Sequence, residues 1–134
     1  MLIEVCTAKI HHATVTEADL NYVGSITIDQ EIIDRAGMKA YQYVNITNLA
    51  NGAFWRTYIM SGKKGGGEVC LNGPPARHFQ PGDKIIVIAQ GWIDPAEHAT
   101  IDPKIVFVKF DVKAKKNRID KVRLSSELSL SKSR

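Results

Sequence analysis

The chain has no run of apolar residues long enough to cross a bilayer, and its N-terminus lacks the apolar core of a signal peptide. Membrane insertion and secretion are therefore not expected; a cytoplasmic, reduced protein is. Cysteine is scarce, with only Cys6 and Cys70. Their separation fits no metal-ligand spacing. Each lies in an apolar, strand-like run, which points to buried thiols rather than a disulfide. No internal repeat is present, so repeat architectures are set aside. At 134 residues the chain is too short for the large folds that usually carry pyridoxal phosphate or nicotinamide cofactors. With 44% hydrophobic residues it suits one compact domain with a core. In a domain this small, an active site of any size is expected to draw on a second subunit.

Acidic residues are the scarcer charge, 14 against 18 basic, for a net +4. The basic excess crowds the C-terminal end, at Lys113, Lys115, Lys116, Arg118, Lys121, Arg123, Lys132 and Arg134. Such a segment can bind nucleic acid or an anionic membrane. No aromatic residue is interleaved with these charges, so no platform for stacked bases is on offer. The expectation is a flexible, solvated tail over residues 112–134, with neither nucleic acid nor membrane as partner, behind a domain spanning residues 1–111.

What the chain does have is short β-like runs. Leu2 to Val15 alternates loosely, and Tyr22 to Ile28, Tyr43 to Thr47, Phe54 to Met60 and Glu68 to Leu71 follow. Lys84 to Ala89 and Ile105 to Phe110 are near-continuous apolar runs, as buried strands are. Asn51-Gly52 is a hairpin signal, and Lys63 to Gly67 and Pro81-Gly82-Asp83 are turns. One helix is predicted from an Asp29 cap to Gly37, and a second opening at Asp94-Pro95. Many short strands with few helices predict a mainly β barrel or sandwich.

One segment stands apart, Tyr22-Val23-Gly24-Ser25-Ile26-Thr27-Ile28-Asp29. A glycine interrupts a strand-like run, which marks a bulge or a backbone that must be closely approached. A hydroxyl residue follows it directly. Alone, Gly-Ser is a turn, Tyr58 is a packed strand residue and Lys9 is a surface charge. His11-His12 alone could suggest a metal. Adjacent strand residues point to opposite faces, however, so the pair is a poor chelator and no metal is expected. The surroundings alter these weights. Lys9 and His11 share a strand face, Thr57-Tyr58 ends the run after Asn51-Gly52, and Leu71-Asn72-Gly73 ends the next strand.

These pieces, in this order, resemble the aspartate 1-decarboxylase family from about Lys9 to Ala89, including His11, Ala13-Thr14-Val15-Thr16 and Asn21 to Asp29. The resemblance implies a double-psi β-barrel that assembles as a homotetramer with active sites between subunits. It implies self-cleavage between Gly24 and Ser25, giving a β chain of residues 1–24 and an α chain from residue 25. The Ser25 hydroxyl attacks the Gly24 carbonyl, the resulting ester eliminates, and loss of ammonia leaves a covalent pyruvoyl group in place of any pyridoxal phosphate. Gly24 is expected to permit a strained conformation there. Thr57 and Asn72 are expected to stabilise the oxyanion, an effect commonly worth about a hundred- to a thousandfold in rate.

In the mature reaction the pyruvoyl ketone condenses with the substrate amine and delocalises the carbanion left by CO2. By the same resemblance Tyr58 is the proton donor, Tyr22 lies near the pocket, and Lys9 and His11 serve a carboxylated substrate. The product from aspartate is β-alanine, which feeds pantothenate and coenzyme A synthesis. Some family members mature with an accessory protein.

Two departures touch substrate binding. Where the family carries an arginine for the aspartate side chain, this chain has Phe54. Where the family reads Asn-Gly-Ala-Ala-Ala, this chain has Asn72-Gly73-Pro74-Pro75-Ala76, and the two prolines lack N–H donors. Either Arg56 replaces the missing guanidinium, since positions 54, 56 and 58 share one strand face, or the pocket takes a larger or less acidic amino acid. A non-catalytic binding barrel is the other class. The retained Gly24, Ser25, Thr57, Tyr58 and Asn72 weigh against it.

Overall fold

The computed structural model describes residues 1–132. Nine strands follow in chain order: β1 (Ile3–Thr14), β2 (Glu17–Asp19), β3 (Ser25–Asp29), β4 (Tyr43–Asn48), β5 (Phe54–Gly62), β6 (Val69–Asn72), β7 (Lys84–Ile93), β8 (Lys104–Asp111) and β9 (Lys116–Leu124). Helix α1 (Gln30–Ala36) follows β3, and α2 (Ser125–Lys132) follows β9. The strands form one sheet in the order β2-β6-β3-β5-β4-β7-β1-β8-β9. The pairs β1/β8, β2/β6 and β3/β5 are parallel, and the other pairs are antiparallel. The mainly β, barrel-type fold is the one expected.

Alternation builds the core. Along β4, Val44, Ile46 and Asn48 are buried while Tyr43, Asn45 and Thr47 are less so. The inner residues Ile10, Ile26, Ile28, Ile59, Ile85, Val87 and Val106 meet Phe79 in one cluster. Strand β6 is buried at all four positions and lies between β2 and β3. Helix α1 forms as predicted. Asp29 caps it by accepting from the Glu31 N–H, and Gly37 ends it in the left-handed conformation at φ 73°. The Asp29 carboxylate also accepts the N–H groups of Gly65 and Gly67, tying the glycine-rich turn to the helix start.

Four expectations from the sequence need correction. Strand β3 begins at Ser25 rather than Tyr22, and residues 20–24 form turn and bend instead. The element opening at Pro95 is a 3-10 helix (Pro95–Thr100) rather than an α-helix. His11 and His12 do not point apart. The β1/β7 register shifts between His11 and Ala13, His12 adopts φ 63°, and the two rings stack with centroids 3.8 Å apart. Lastly, the barrel does not stop at residue 111. Lys116–Leu124 pairs antiparallel with β8, and Asn117, 3% exposed, bonds to Thr14 and Gly67. The cause is local: the basic residues conceal a strand whose exposed positions carry the charge. Residues 133 and 134, the end of the expected tail, lie outside the described residues.

Candidate active site

Ser25 stands at the first position of β3, where an exposed bend becomes a buried strand. Tyr22 and Val23 are exposed, whereas Ser25 is 1% exposed. Antiparallel pairing with β6 sets Ser25 opposite Asn72 and Thr27 opposite Cys70. With a side-chain period of two, these four residues share one face of the pair. The Asn72 amide Nδ2 donates to Ser25 Oγ and to Thr27 Oγ1, each at 3.0 Å. The Ser25 hydroxyl donates to the Val23 carbonyl at 3.0 Å. The Cys70 thiol donates to Asn72 Oδ1 at 3.0 Å. The nucleophile expected from the sequence is thus held on two sides before any reaction.

The glycine requirement falls one strand away from where the sequence suggests it. Gly24 is not among the positive-φ glycines, and a Cβ there would meet nothing nearer than 3.9 Å. Gly73 sits at φ 80°, and a Cβ on it would come within 2.7 Å of the Gly24 Cα. Gly73 is therefore the residue that lets β6 close against the Gly24–Ser25 segment. Pro74 and Pro75 open a 3-10 helix (Pro74–Arg77), where the N–H groups they lack would have no partner within the helix. They form a rigid exit from β6.

Tyr58 and Thr57 lie on β5, parallel to β3. Ile26 pairs with Ile59, so Ser25 and Tyr58 are the residues immediately preceding this pair on the two strands. Thr57 is buried, and no hydrogen bond from Thr57 or Asn72 reaches the Gly24 carbonyl among the described residues. Tyr58 faces the other way, with its ring 6.0 Å from that of Tyr43. The Arg56 guanidinium lies over the same Tyr43 ring at 5.2 Å and donates to Asn45 Oδ1 at 3.4 Å. Arg56 and Tyr58 thus share a face, with exposed Phe54 beyond them.

Among the described residues no hydrogen bond or ring contact joins Lys9 or His11 to Ser25. They lie on β1, with β5, β4 and β7 between it and β3. His11 packs edge-on to Phe107 at 5.2 Å. Its pKa is lowered below 6.5 by burial, then by the neighbouring His12 and Lys9.

A cavity of about 360 Å³ opens beside the cluster, lined by Tyr22, Thr27, Cys70 and Asn72 together with Glu17 and Glu68. Burial first, then Glu17, Glu68 and Asp19, push the Cys70 thiol up to about 12, so it stays protonated. Glu68 is raised as well, by burial and then by Glu17 and Asp29. Sequence reasoning missed Thr27 and Cys70. Alternation from Ser25 and from Asn72 reaches both, but only once the two strands are known to pair.

The fold and this cluster define a small β-barrel enzyme with a buried, pre-held serine. The family model for aspartate decarboxylase matches residues 1–119. The chain belongs to the aspartate decarboxylase family. It is 52% identical over 108 residues to the aspartate 1-decarboxylase of Caldicellulosiruptor saccharolyticus, covering 81% of this chain and 84% of that one. It is 46% identical over 117 residues to that of Leptospira biflexa, covering 87% and 99%. Against the Parabacteroides distasonis protein of the same name it is 51% identical over 107 residues, covering 80% and 92%. Among the described residues no helix is long and apolar enough to cross a membrane.

Proposed function

We propose that this chain decarboxylates L-aspartate to β-alanine and CO2, with a pyruvoyl group made from its own Ser25. The observation that carries the reading is the Ser25 hydroxyl. It is buried directly after Gly24 and held by the Asn72 amide, in a chain matched to the aspartate decarboxylase family over residues 1–119.

In the processing step Ser25 Oγ adds to the Gly24 carbonyl carbon. The Gly24–Ser25 C–N bond breaks and the nitrogen takes up a proton, leaving an ester. Elimination across Cα and Cβ of residue 25 frees the Gly24 carboxylate. Water then replaces nitrogen, which leaves as ammonia. The surroundings fit this conversion: one oxygen with fixed partners, a close-packed glycine behind the scissile bond, and a cavity alongside.

A ketone at residue 25 supplies the electron sink that takes up the pair left by CO2. The chain's own residues bind substrate and move protons. Tyr58 gives its phenolic proton to the carbon that has lost CO2. Arg56 pairs with the aspartate side-chain carboxylate in place of the absent arginine at Phe54. Its support is the Tyr43 ring that it shares with Tyr58. Tyr22 borders the pocket. Lys9 and His11 reach a pyruvoyl centre from a second copy of the chain, in a homotetramer. Their distance from β3 in the sheet order supports that arrangement. The setting is cytoplasmic, in keeping with the two free thiols, and an accessory protein can assist maturation.

Intact mass under denaturing conditions tests the reading. The expected result is two chains, one ending at Gly24 and one beginning at residue 25. The larger should be lighter by one ammonia than hydrolysis alone predicts. That material should release CO2 and β-alanine from aspartate. A single chain that stays uncleaved even in lysate of its own host would overturn the proposal.

A further inference from the structure

The Asn72 side chain uses both ends, and which end faces Ser25 is not decided by shape. A primary amide turned over by half a rotation occupies nearly the same volume, so its partners determine its direction. Two of those partners are hydroxyls: Ser25, whose proton goes to the Val23 carbonyl and which therefore accepts from Asn72, and Thr27, which can either donate or accept. The third is the Cys70 thiol, 3.0 Å from Asn72 Oδ1. A buried thiol that keeps its proton is a donor, and an amide N–H pair turned toward it would find only a weak acceptor. Burial first, then Glu17, Glu68 and Asp19, disfavours its anion.

We propose that Cys70 is a positioning residue for self-processing: its S–H donates to Asn72 Oδ1, and so turns the amide N–H pair onto Ser25 Oγ. The inference rests on the reading that the Gly24–Ser25 bond is the one cleaved. Thr27, the second acceptor of Asn72, completes the four-residue face on β3 and β6.

The test compares Cys70→Val with Cys70→Ser in the full chain. Val keeps the bulk of the side chain in a strand but has no proton to donate. Ser keeps a donor. Each protein is made in extract of its own host, quenched at intervals in denaturant, and the cleaved fraction is read by intact mass. Thermal melts of the same proteins report folding. Expected is cleavage about tenfold slower or more in Cys70→Val, the loss of one buried hydrogen bond, with Cys70→Ser within about threefold of wild type. Cleavage of Cys70→Val at the wild-type rate overturns the proposal. So does Cys70→Ser as slow as Cys70→Val when both melt like wild type. Should Cys70→Val not fold, Cys70→Ala is compared with Cys70→Ser by the same criteria. Wild-type protein that never cleaves overturns the decarboxylase reading and this inference with it. Wild type that cleaves beside an indifferent Cys70→Val overturns this inference alone.

Discussion

Replacing Asn117 with alanine should cost this fold more than any other single change on β9. The side chain is 3% exposed and makes three hydrogen bonds to backbone. Its Oδ1 accepts from the Thr14 N–H at 2.8 Å, and its Nδ2 donates to the Thr14 carbonyl at 2.8 Å and the Gly67 carbonyl at 3.0 Å. Alanine cannot replace any of them, and the abandoned Thr14 groups have little access to water. A net loss of about 1–1.5 kcal/mol per bond gives about 3–4.5 kcal/mol in all. An unfolding entropy of roughly 2.1 cal/mol/K per residue amounts to roughly 0.28 kcal/mol/K for 134 residues. The melting temperature should then fall by about 11–16 °C. Calorimetry on wild type and Asn117→Ala, at one concentration and in one processing state, measures it. Hydrogen exchange at the Thr14 N–H should accelerate in parallel. A fall of less than about 3 °C would refute the view that β9 locks the end of β1 to the glycine-rich turn.

Gly73→Ala should slow self-cleavage by at least about tenfold, because the new methyl meets the Gly24 Cα at a φ of 80°. Gly24→Ala has space for its methyl and should fold normally; a Gly73→Ala chain that cleaves at the wild-type rate removes the close-packing argument. The Cys70 contribution to stability should be level below pH 9 and decline toward pH 12, since the folded Cys70 keeps a proton from 9.0 to about 12 that the unfolded chain has lost. The slope should approach about 1.4 kcal/mol per pH unit, and Cys70→Ser should lack it in parallel denaturation series. Arg56→Ala should raise KM for aspartate by about tenfold or more while cleavage is unchanged, and a variant with unaltered KM would show that Arg56 does not bind the substrate carboxylate.

Most strands were legible because their cause is local. Alternation marks β4, and unbroken apolar runs mark β7 and β8. Asp29 and Gly37 bracket α1 with a side-chain cap and a left-handed stop. Strand β9 was hidden for an equally physical reason. It lies at the edge of the sheet on β8, so most of its positions face water and carry charge. Its one deep anchor, Asn117, is polar and carries no hydrophobic signal. The bend before Ser25 was read as strand because Tyr22 and Val23 have strand-forming side chains, although both are exposed. His12 escaped because a bulge defeats period-two reasoning and nothing in His11-His12-Ala13 announces one. At the site, the chemistry-bearing types were visible singly. Their arrangement was not, since Cys70, Asn72, Ser25 and Thr27 become a set only through the antiparallel register of β3 and β6.

The cluster also separates two tasks that one mutation series could confuse. Within one chain, Ser25 and Gly24 are contacted by Val23, Asn72, Gly73 and Pro74. The groups proposed for substrate are scattered, with Arg56 on β5 and Lys9 and His11 on β1. If these groups suffice for processing, self-cleavage is first order and indifferent to protein concentration. Decarboxylation by cleaved protein should instead fall on dilution, as copies part and Lys9 and His11 are withdrawn. A dilution series that follows cleavage by mass and CO2 release on the same samples measures both. Cleavage that slows on dilution would mean that a second copy supplies a processing group. Activity per cleaved chain that survives dilution to the monomer would mean that the site is complete within one chain, and that Lys9 and His11 have no part in it.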